Sequence, residues 1–377
     1  MNFELSDEQR QLADSLGRWL ADHYGFEQRK AIVASDAGLS EAAWRAFAEM
    51  GLTALALPES DGGFGGGAMD LMASMEACGA ALVVEPLLDN VGLAGRLVSR
   101  AGSAVQRAAL LPGLIDGSRR LALAYLEPGR RYEAAPASTT ATPDAGGWRL
   151  SGHKTVVVGA SQASTLVVSA RTAPGASLFL IDASAPGVTI GASRGVDGQR
   201  VADVRFDAVA LGAGALLGTE GAAQPLIDEA LDFATALLCA DAVGAMVSAN
   251  EATLEYLKTR KQFGVPIGSF QVLQHRLVEC VISTEQARSM AIAAAAAVDA
   301  GGDPQERSRS VSAAKIKIAD AARQVSQESV QLHGGMGMTE ELKISHTFRR
   351  LTTIAQRFGD VDHHLARYAA LDASHRQ

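Results

Sequence analysis

The chain has 377 residues, 47% of them apolar and 20% charged, a composition that excludes a disordered protein and leaves room for two or three domains. Its formal charge of −8 has the wrong sign for a nucleic-acid surface. Cys78, Cys239 and Cys280 form no CxxC pair or disulfide framework, and the start MNFELSDEQRQLADSL carries acids at once. Both point to a cytoplasmic protein without a secretory leader.

In chain order, residues 1–115 are expected to form an N-terminal α-helical domain. Ser6 is placed to cap a helix, with Asp7 and Glu8 near its positive end. Ser40 before EAAWRAFAEMGL repeats the device, with Gly51 as the stop. The run GGFGGG at 62–67 lacks the Lys-Ser/Thr of a phosphate loop and is expected to join helices. Residues 116–222 change texture, to short runs such as RLALAYL, WRLSGHKTVVVGA, STLVVSAR, SLFLID and VADVRFDAVAL. Clusters such as EPGRR, TPDAGG and APG separate them, the pattern of a middle antiparallel β domain. Residues 223–377 return to helix. Val311, Ile318, Val325 and Leu332, with Ala314 and Ala321 between, make one seam of a helical bundle. The apolar stretch FATALLCADAVGAMVSA from Phe233 is interrupted by Asp241, so a buried helix is expected and no membrane span.

Four motifs stand in one order: GLTALALPESDGGFGG at 51–66, AYLEPG at 124–129, YLKTRKQFGVPIGSFQVLQHRL at 256–277 and QLHGGMGMTEE at 331–341. In that order they resemble the acyl-CoA dehydrogenase family over nearly the whole chain. The resemblance implies an acyl-CoA dehydrogenase-like α+β multidomain fold, with an N-terminal α-helical domain, a middle antiparallel β domain and a C-terminal four-helix bundle. It also implies FAD as cofactor, an acyl-CoA thioester as substrate and an electron-accepting flavoprotein as partner. Arg260 would grip the FAD pyrophosphate, Gln262 and Gln271 would donate amides, and Phe263 would offer a ring face. Gln331, Leu332 and His333 lead into Gly334 and Gly335, whose backbone has no Cβ to block a close approach. In the family these groups reach the FAD of a neighbouring subunit.

The pattern then fails where the reaction needs it most. The family reaction removes an α-proton with a carboxylate as general base. The family places it in a Glu-Gly pair nine residues after an arginine; from Arg349 that count reaches Phe358, followed by Gly359. Other members place it on the first long C-terminal helix, ten residues before a glycine; from Gly244 that position is Ala234, followed by Thr235. In the middle domain Leu126 replaces a hydroxyl residue that bonds the flavin. Arg130, Arg131 and Tyr132 replace a small-residue turn, and Thr155, Val156, Val157 and Val158 follow Lys154 in place of a tryptophan and a threonine.

The stretch IAQRFGDVDHHLARYA at 354–369 gathers Asp360, Asp362, His363 and His364. Only Asp360 shares a helical face with the histidines, so a metal site is not expected. Asp360 is expected to cap the last helix, with Asp362 in its first turn and both histidines on a partly polar face. Asp360 and Asp241 remain as alternative bases, although Asp241 lies about 10 Å along the helix from Ala234. The kept groups serve a neighbour's flavin and the lost ones serve this chain's own. The expected function is therefore the non-catalytic subunit of a heterodimeric or heterotetrameric acyl-CoA dehydrogenase. The ending is similar to the small subunit of pimeloyl-CoA dehydrogenase and to β-type chains of bacterial heterotetramers acting on steroid side-chain thioesters. The alternatives are an active homo-oligomer with a displaced base and a flavin-free scaffold.

Overall fold

A computed structural model describes residues 6–375. Four helices open the chain: α1 (Asp7–His23), α2 (Phe26–Ala34), α3 (Glu41–Glu49) and α4 (Ala68–Ala81). A π-helical turn, Leu88–Gly95, leads into α5 (Arg96–Ala101) and α6 (Ala104–Ile115). The strands are β1 (Leu121–Ala124), β2 (Thr140–Asp144), β3 (Gly147–Val158), β4 (Thr165–Arg171), β5 (Ala176–Asp182), β6 (Val188–Arg194), β7 (Arg200–Gly212) and β8 (Leu216–Leu217). Then come α7 (Gln224–Thr259), the two-strand hairpin β9 (Lys261–Gln262) and β10 (Val265–Pro266), and α8 (Gln271–Asp299). Last are α9 (Pro304–His333), α10 (Lys343–Gln356) and α11 (Val361–His375). The chain divides into two compact units: one of residues up to Lys30, Ala68–Val83 and Thr235 onward, the other of Ala31–Gly67 and Val84–Ala234.

The second unit is built on a sheet ordered β6-β7-β3-β2-β4-β5-β8, with β1 beside β4. Its core gathers the inward residues of these strands, among them Leu150, Leu166, Val168, Phe179 and Val204. The sheet departs from the antiparallel expectation along β4: β1 runs parallel to β4, pairing Leu121 with Thr165, and β2 meets β4 in parallel at Thr140 and Arg171. The chain from β1 to β4 passes through β2 and β3, and the chain from β2 to β4 through β3, which allows this, since a parallel neighbour needs a crossover rather than a hairpin. TPD belongs to a strand and not to a turn. The turn is Ala145–Gly146, both at positive φ (28° and 88°), which suits a two-residue hairpin. β6 was not expected because VTIGASR is poor in apolar residues; it survives as an edge strand on β7, exposed over much of its length.

In the first unit Ser6 caps α1 as a capping box with Gln9, while in the other unit Ser40 caps α3 through the Ala43 amide at 3.2 Å. The α9 seam is buried as its spacing predicts, with Val311, Ile318 and Val325 at 0% exposure and Leu332 at 5%. α7 alone among the described helices is long and apolar enough to cross a membrane, and that stretch is mostly buried inside the protein. α4 and α7 touch backbone to backbone. A Cβ added at Gly79 would strike the Asp241 carbonyl, and one added at Gly244 would strike the Glu76 carbonyl. Neither backbone can yield without parting the helices, so Gly244→Ala is expected to destabilise the protein by about 3 kcal/mol in urea unfolding.

Candidate functional site

The residues expected to meet a cofactor in the first unit are brought to one end of the bundle. Leu257 of α7, Leu277 of α8 and Leu332 of α9 form a buried cluster, with Ile267 and Leu273 against it. His333 stacks on Tyr256 at 4.4 Å and its Nδ1 lies 2.8 Å from the Ser329 carbonyl. Leu332 and His333 therefore spend their side chains on locking α9 to α7, and burial keeps His333 below its ordinary pKa. On the outside of this lock the expected groups are exposed: Arg260, Gln262, Phe263, Gln271, Gln331, Gly334 and Gly335. A Cβ added at Gly334 or Gly335 would meet nothing within 4 Å, so the bare backbone there faces open space. Phe263 and Gly264 make the hairpin turn at φ 55° and 81°. A phenylalanine in that region costs about 1 kcal/mol, and here it holds the ring 89% exposed at the tip.

The turn at Phe358–Gly359 is the second assembly in this unit. α10 ends at Gln356, and Phe358 and Gly359 follow at φ 60° and 120°. Asp360 then caps α11, its Oδ1 accepting from the His363 amide at 2.9 Å, with Asp362 in the first turn. Both histidines were expected on a partly polar face; the structure corrects this for His364, which is 1% exposed. Its Nε2 donates to the Phe358 carbonyl at 3.1 Å, since a carbonyl can only accept, and its Nδ1 lies 3.2 Å from Ser312 Oγ. Burial, followed by the charge of Lys315, pushes His364 down to about 3, so the ring is neutral. Lys315 went unremarked in the sequence. Its ammonium is fully buried and donates to the carbonyls of Gly359 at 2.7 Å and Ala355 at 3.2 Å. Burial holds it at about 8, against the pull of Cys239 and Asp360. Its place four residues after Val311 and three before Ile318 was the available signal, because that spacing faces the core.

Neither alternative base is at liberty. Asp241 is buried and its carboxylate takes the Arg350 guanidinium, Oδ1 from Nε at 3.4 Å and Oδ2 from Nη2. Asp360 spends an oxygen on its cap. No group of three or more His, Cys, Asp or Glu able to hold a metal occurs among the described residues.

In the second unit, Ala234 is fully buried. Glu127 of the Glu-Pro-Gly motif is structural. Its carboxylate accepts from the amides of Ala137, Ser138 and Thr139 at 3.1, 2.7 and 2.9 Å, and from Lys154 Nζ at 3.0 Å. Burial alone would raise its pKa, but these amides and the lysine hold the carboxyl far below the usual range. Burial holds Lys154 down at about 8 even though Glu127 pulls the other way. Beyond Lys154 the strand bulges, and Val156 stands at φ 51° with its side chain 55% exposed. Leu126 offers only its carbonyl, to the Thr155 amide at 3.0 Å. Glu127→Gln leaves the Lys154 ammonium buried and uncompensated, an expected loss of about 3 kcal/mol at neutral pH. A depressed carboxyl contributes stability above its unfolded value of 4.5 and loses it as pH falls, so the gap between wild type and variant should shrink in urea titrations run below that value.

One unit is helical with an exposed cationic and amide-bearing end, and the other is built on a mixed sheet. The chain belongs to the acyl-CoA dehydrogenase family: residues 6–118, 122–209 and 224–368 match the models of its N-terminal, middle and C-terminal domains. It is 31% identical over 367 residues to the acyl-CoA dehydrogenase FadE12 of Mycobacterium tuberculosis, covering 94% of this chain and 93% of that one. Among solved structures it is similar to a variant of the Tcur3481–Tcur3483 steroid acyl-CoA dehydrogenase (33% identity, TM-score 0.89, covering 98% and 99% of the two chains). It also matches the ChsE4–ChsE5 complex of Mycobacterium tuberculosis (25%, TM-score 0.90, 99% and 99%) and PigA solved with FAD and proline (26%, TM-score 0.90, 100% and 100%).

The residues fit FAD unequally. A pyrophosphate needs fixed cations and unobstructed N–H groups, which Arg260, the exposed amides and the Gly334–Gly335 backbone offer. An isoalloxazine ring needs hydroxyl or amide donors and aromatic packing. Leu126 before the Glu-Pro-Gly and Val156, Val157 and Val158 after Lys154 offer only aliphatic side chains where the resemblance led one to expect such groups.

Proposed function

We propose that this chain is the non-catalytic subunit of a heteromeric, cytoplasmic acyl-CoA dehydrogenase that desaturates an acyl-CoA thioester. In this reading Arg260, Gln262, Phe263, Gln271, Gln331 and the Gly334–Gly335 turn complete the FAD site of a partner subunit, with Leu332 and His333 fixing that turn from behind. FAD bound there supplies hydride acceptance, and an electron-accepting flavoprotein reoxidises the complex. The observation that carries the reading is Phe358, a hydrocarbon ring at the family's base position with both substitute carboxylates engaged elsewhere. Two further facts support it. The exposed polar groups are set among exposed apolar side chains, Phe263, Phe270, Val272 and Met338, a mixture suited to a subunit interface. Two of the solved relatives are named as two-component assemblies.

The experiment is co-expression with a Glu-bearing dehydrogenase from the same genomic neighbourhood. The expected product is a stable complex with one FAD per heterodimer that oxidises acyl-CoA thioesters, while the single chain purifies colourless. A yellow single chain that oxidises thioesters alone would favour the active homo-oligomer. Neither complex nor flavin would favour the scaffold.

A further inference from the structure

Residues 334–342 leave α9, turn, and enter α10. Most of this segment is exposed, and two anchors hold it. On the α9 side Gly337 lies against the helix: a Cβ there would stand 2.6 Å from the Val330 carbonyl oxygen. On the α10 side the anchor is Glu340. Its two carboxylate oxygens accept from the two Nη groups of Arg349, each at 2.8 Å. His346 Nε2 lies 3.3 Å from the Glu340 carbonyl and 3.2 Å from its Oε2.

The other face of His346 fixes how that ring is protonated. Nδ1 lies 3.2 Å from Arg29 Nη1, and a guanidinium only donates. Nδ1 must therefore accept, and the proton sits on Nε2, aimed at Glu340. Arg29 is itself buried and donates from Nε to the Leu82 carbonyl at 2.7 Å, so its position is set from behind. Phe26 closes the remaining side with its ring at 4.8 Å. The groups facing His346 are thus Arg29 and Phe26 on α2 and Glu340 and Arg349 at α10. Lys343 stands nearby, its ammonium held by the Ala80 carbonyl and Ser248 Oγ.

We propose that Glu340 is the positioning residue of the Gly334–Gly335 turn, clamped by Arg349 and held by the Nε2–H of neutral His346. Burial, with Arg349 and Arg29, keeps the imidazole below its ordinary pKa, and the ring stays neutral at its contact with Arg29. Only the use of the turn, a partner's FAD, rests on the function proposed above; the tether stands on this chain's own contacts.

Hydrogen exchange on the full chain separates the two. In Glu340→Ala the amides of residues 334–339 should exchange on the order of fivefold faster, the size of one well-formed ion-pair clamp, with α8 and α11 unchanged. His346→Gln can accept from Arg29 through Oε1 and donate through Nε2. It should keep wild-type exchange, whereas His346→Ala, which can do neither, should loosen residues 334–339. Unchanged exchange in Glu340→Ala, or a rise spread evenly over the unit, overturns the proposal. In the co-purified complex the same Glu340→Ala change should lower FAD retention about fivefold without moving the melting temperature of the free chain. If the wild-type complex carries no FAD, the functional reading falls and the exchange data still decide the tether.

Discussion

Replacing Asp241 with asparagine is expected to destabilise the protein by about 3–5 kcal/mol, because it strands the Arg350 guanidinium in the interior. The pair is 1% and 6% exposed, with both carboxylate oxygens on the arginine fork. Arg350→Met should cost a similar amount by stranding the carboxylate instead. The double change, Asp241→Leu with Arg350→Met, removes both charges and should return to within about 1 kcal/mol of wild type, since apolar packing can replace a buried ion pair. Urea unfolding of the four proteins measures this cycle. A displaced catalytic base predicts another outcome: Asp241→Asn would fold as well as wild type and lose only turnover. A near-zero coupling energy would therefore reopen Asp241 as a base, and a large one closes that route for this chain.

The cycle also marks where reading the sequence stops. Local signals were legible. Ser6 and Ser40 announced their helices by side chain alone, the α9 seam by spacing, and Asp360 its cap by following a glycine. Partnerships at long range were not. Asp241 and Arg350 are 109 residues apart, and nothing in either neighbourhood asks for the other. Lys315 drew no notice because its partners are carbonyls, which every residue has. His364 was expected on a partly polar face for the same reason: its partner is the Phe358 carbonyl. The β6 edge strand was missed because edge strands are under pressure to avoid the apolar alternation that reveals central ones. At the candidate site, the family motifs located the exposed groups. The lock behind them, Tyr256 on His333 and Leu257 with Leu332, needed the fold.

Arg260→Ala, made in the complex with a Glu-bearing partner, is expected to weaken FAD binding by roughly 10- to 100-fold. Charge-assisted hydrogen bonds to a phosphate are worth about 1.5–3 kcal/mol, which is that factor. Arg260 follows the end of α7 with its backbone fixed, its amide bonded to the Tyr256 carbonyl at 2.8 Å and its carbonyl to the Ile267 amide at 2.8 Å. The side chain is exposed, so truncation removes no buried contact, and the free chain should unfold within about 0.5 kcal/mol of wild type. Arg260→Lys keeps the charge but not the planar fork, and should fall between the two. FAD titration of the apo-complex, followed by flavin fluorescence, reads all three proteins. An effect confined to folding would make Arg260 a structural residue. Unchanged affinity would place the pyrophosphate elsewhere and remove the main cation from the proposed shared site. The expected pattern is cofactor loss at constant stability. It fits the proposed reading, in which Phe358 cannot accept a proton and the exposed Arg260 serves another subunit.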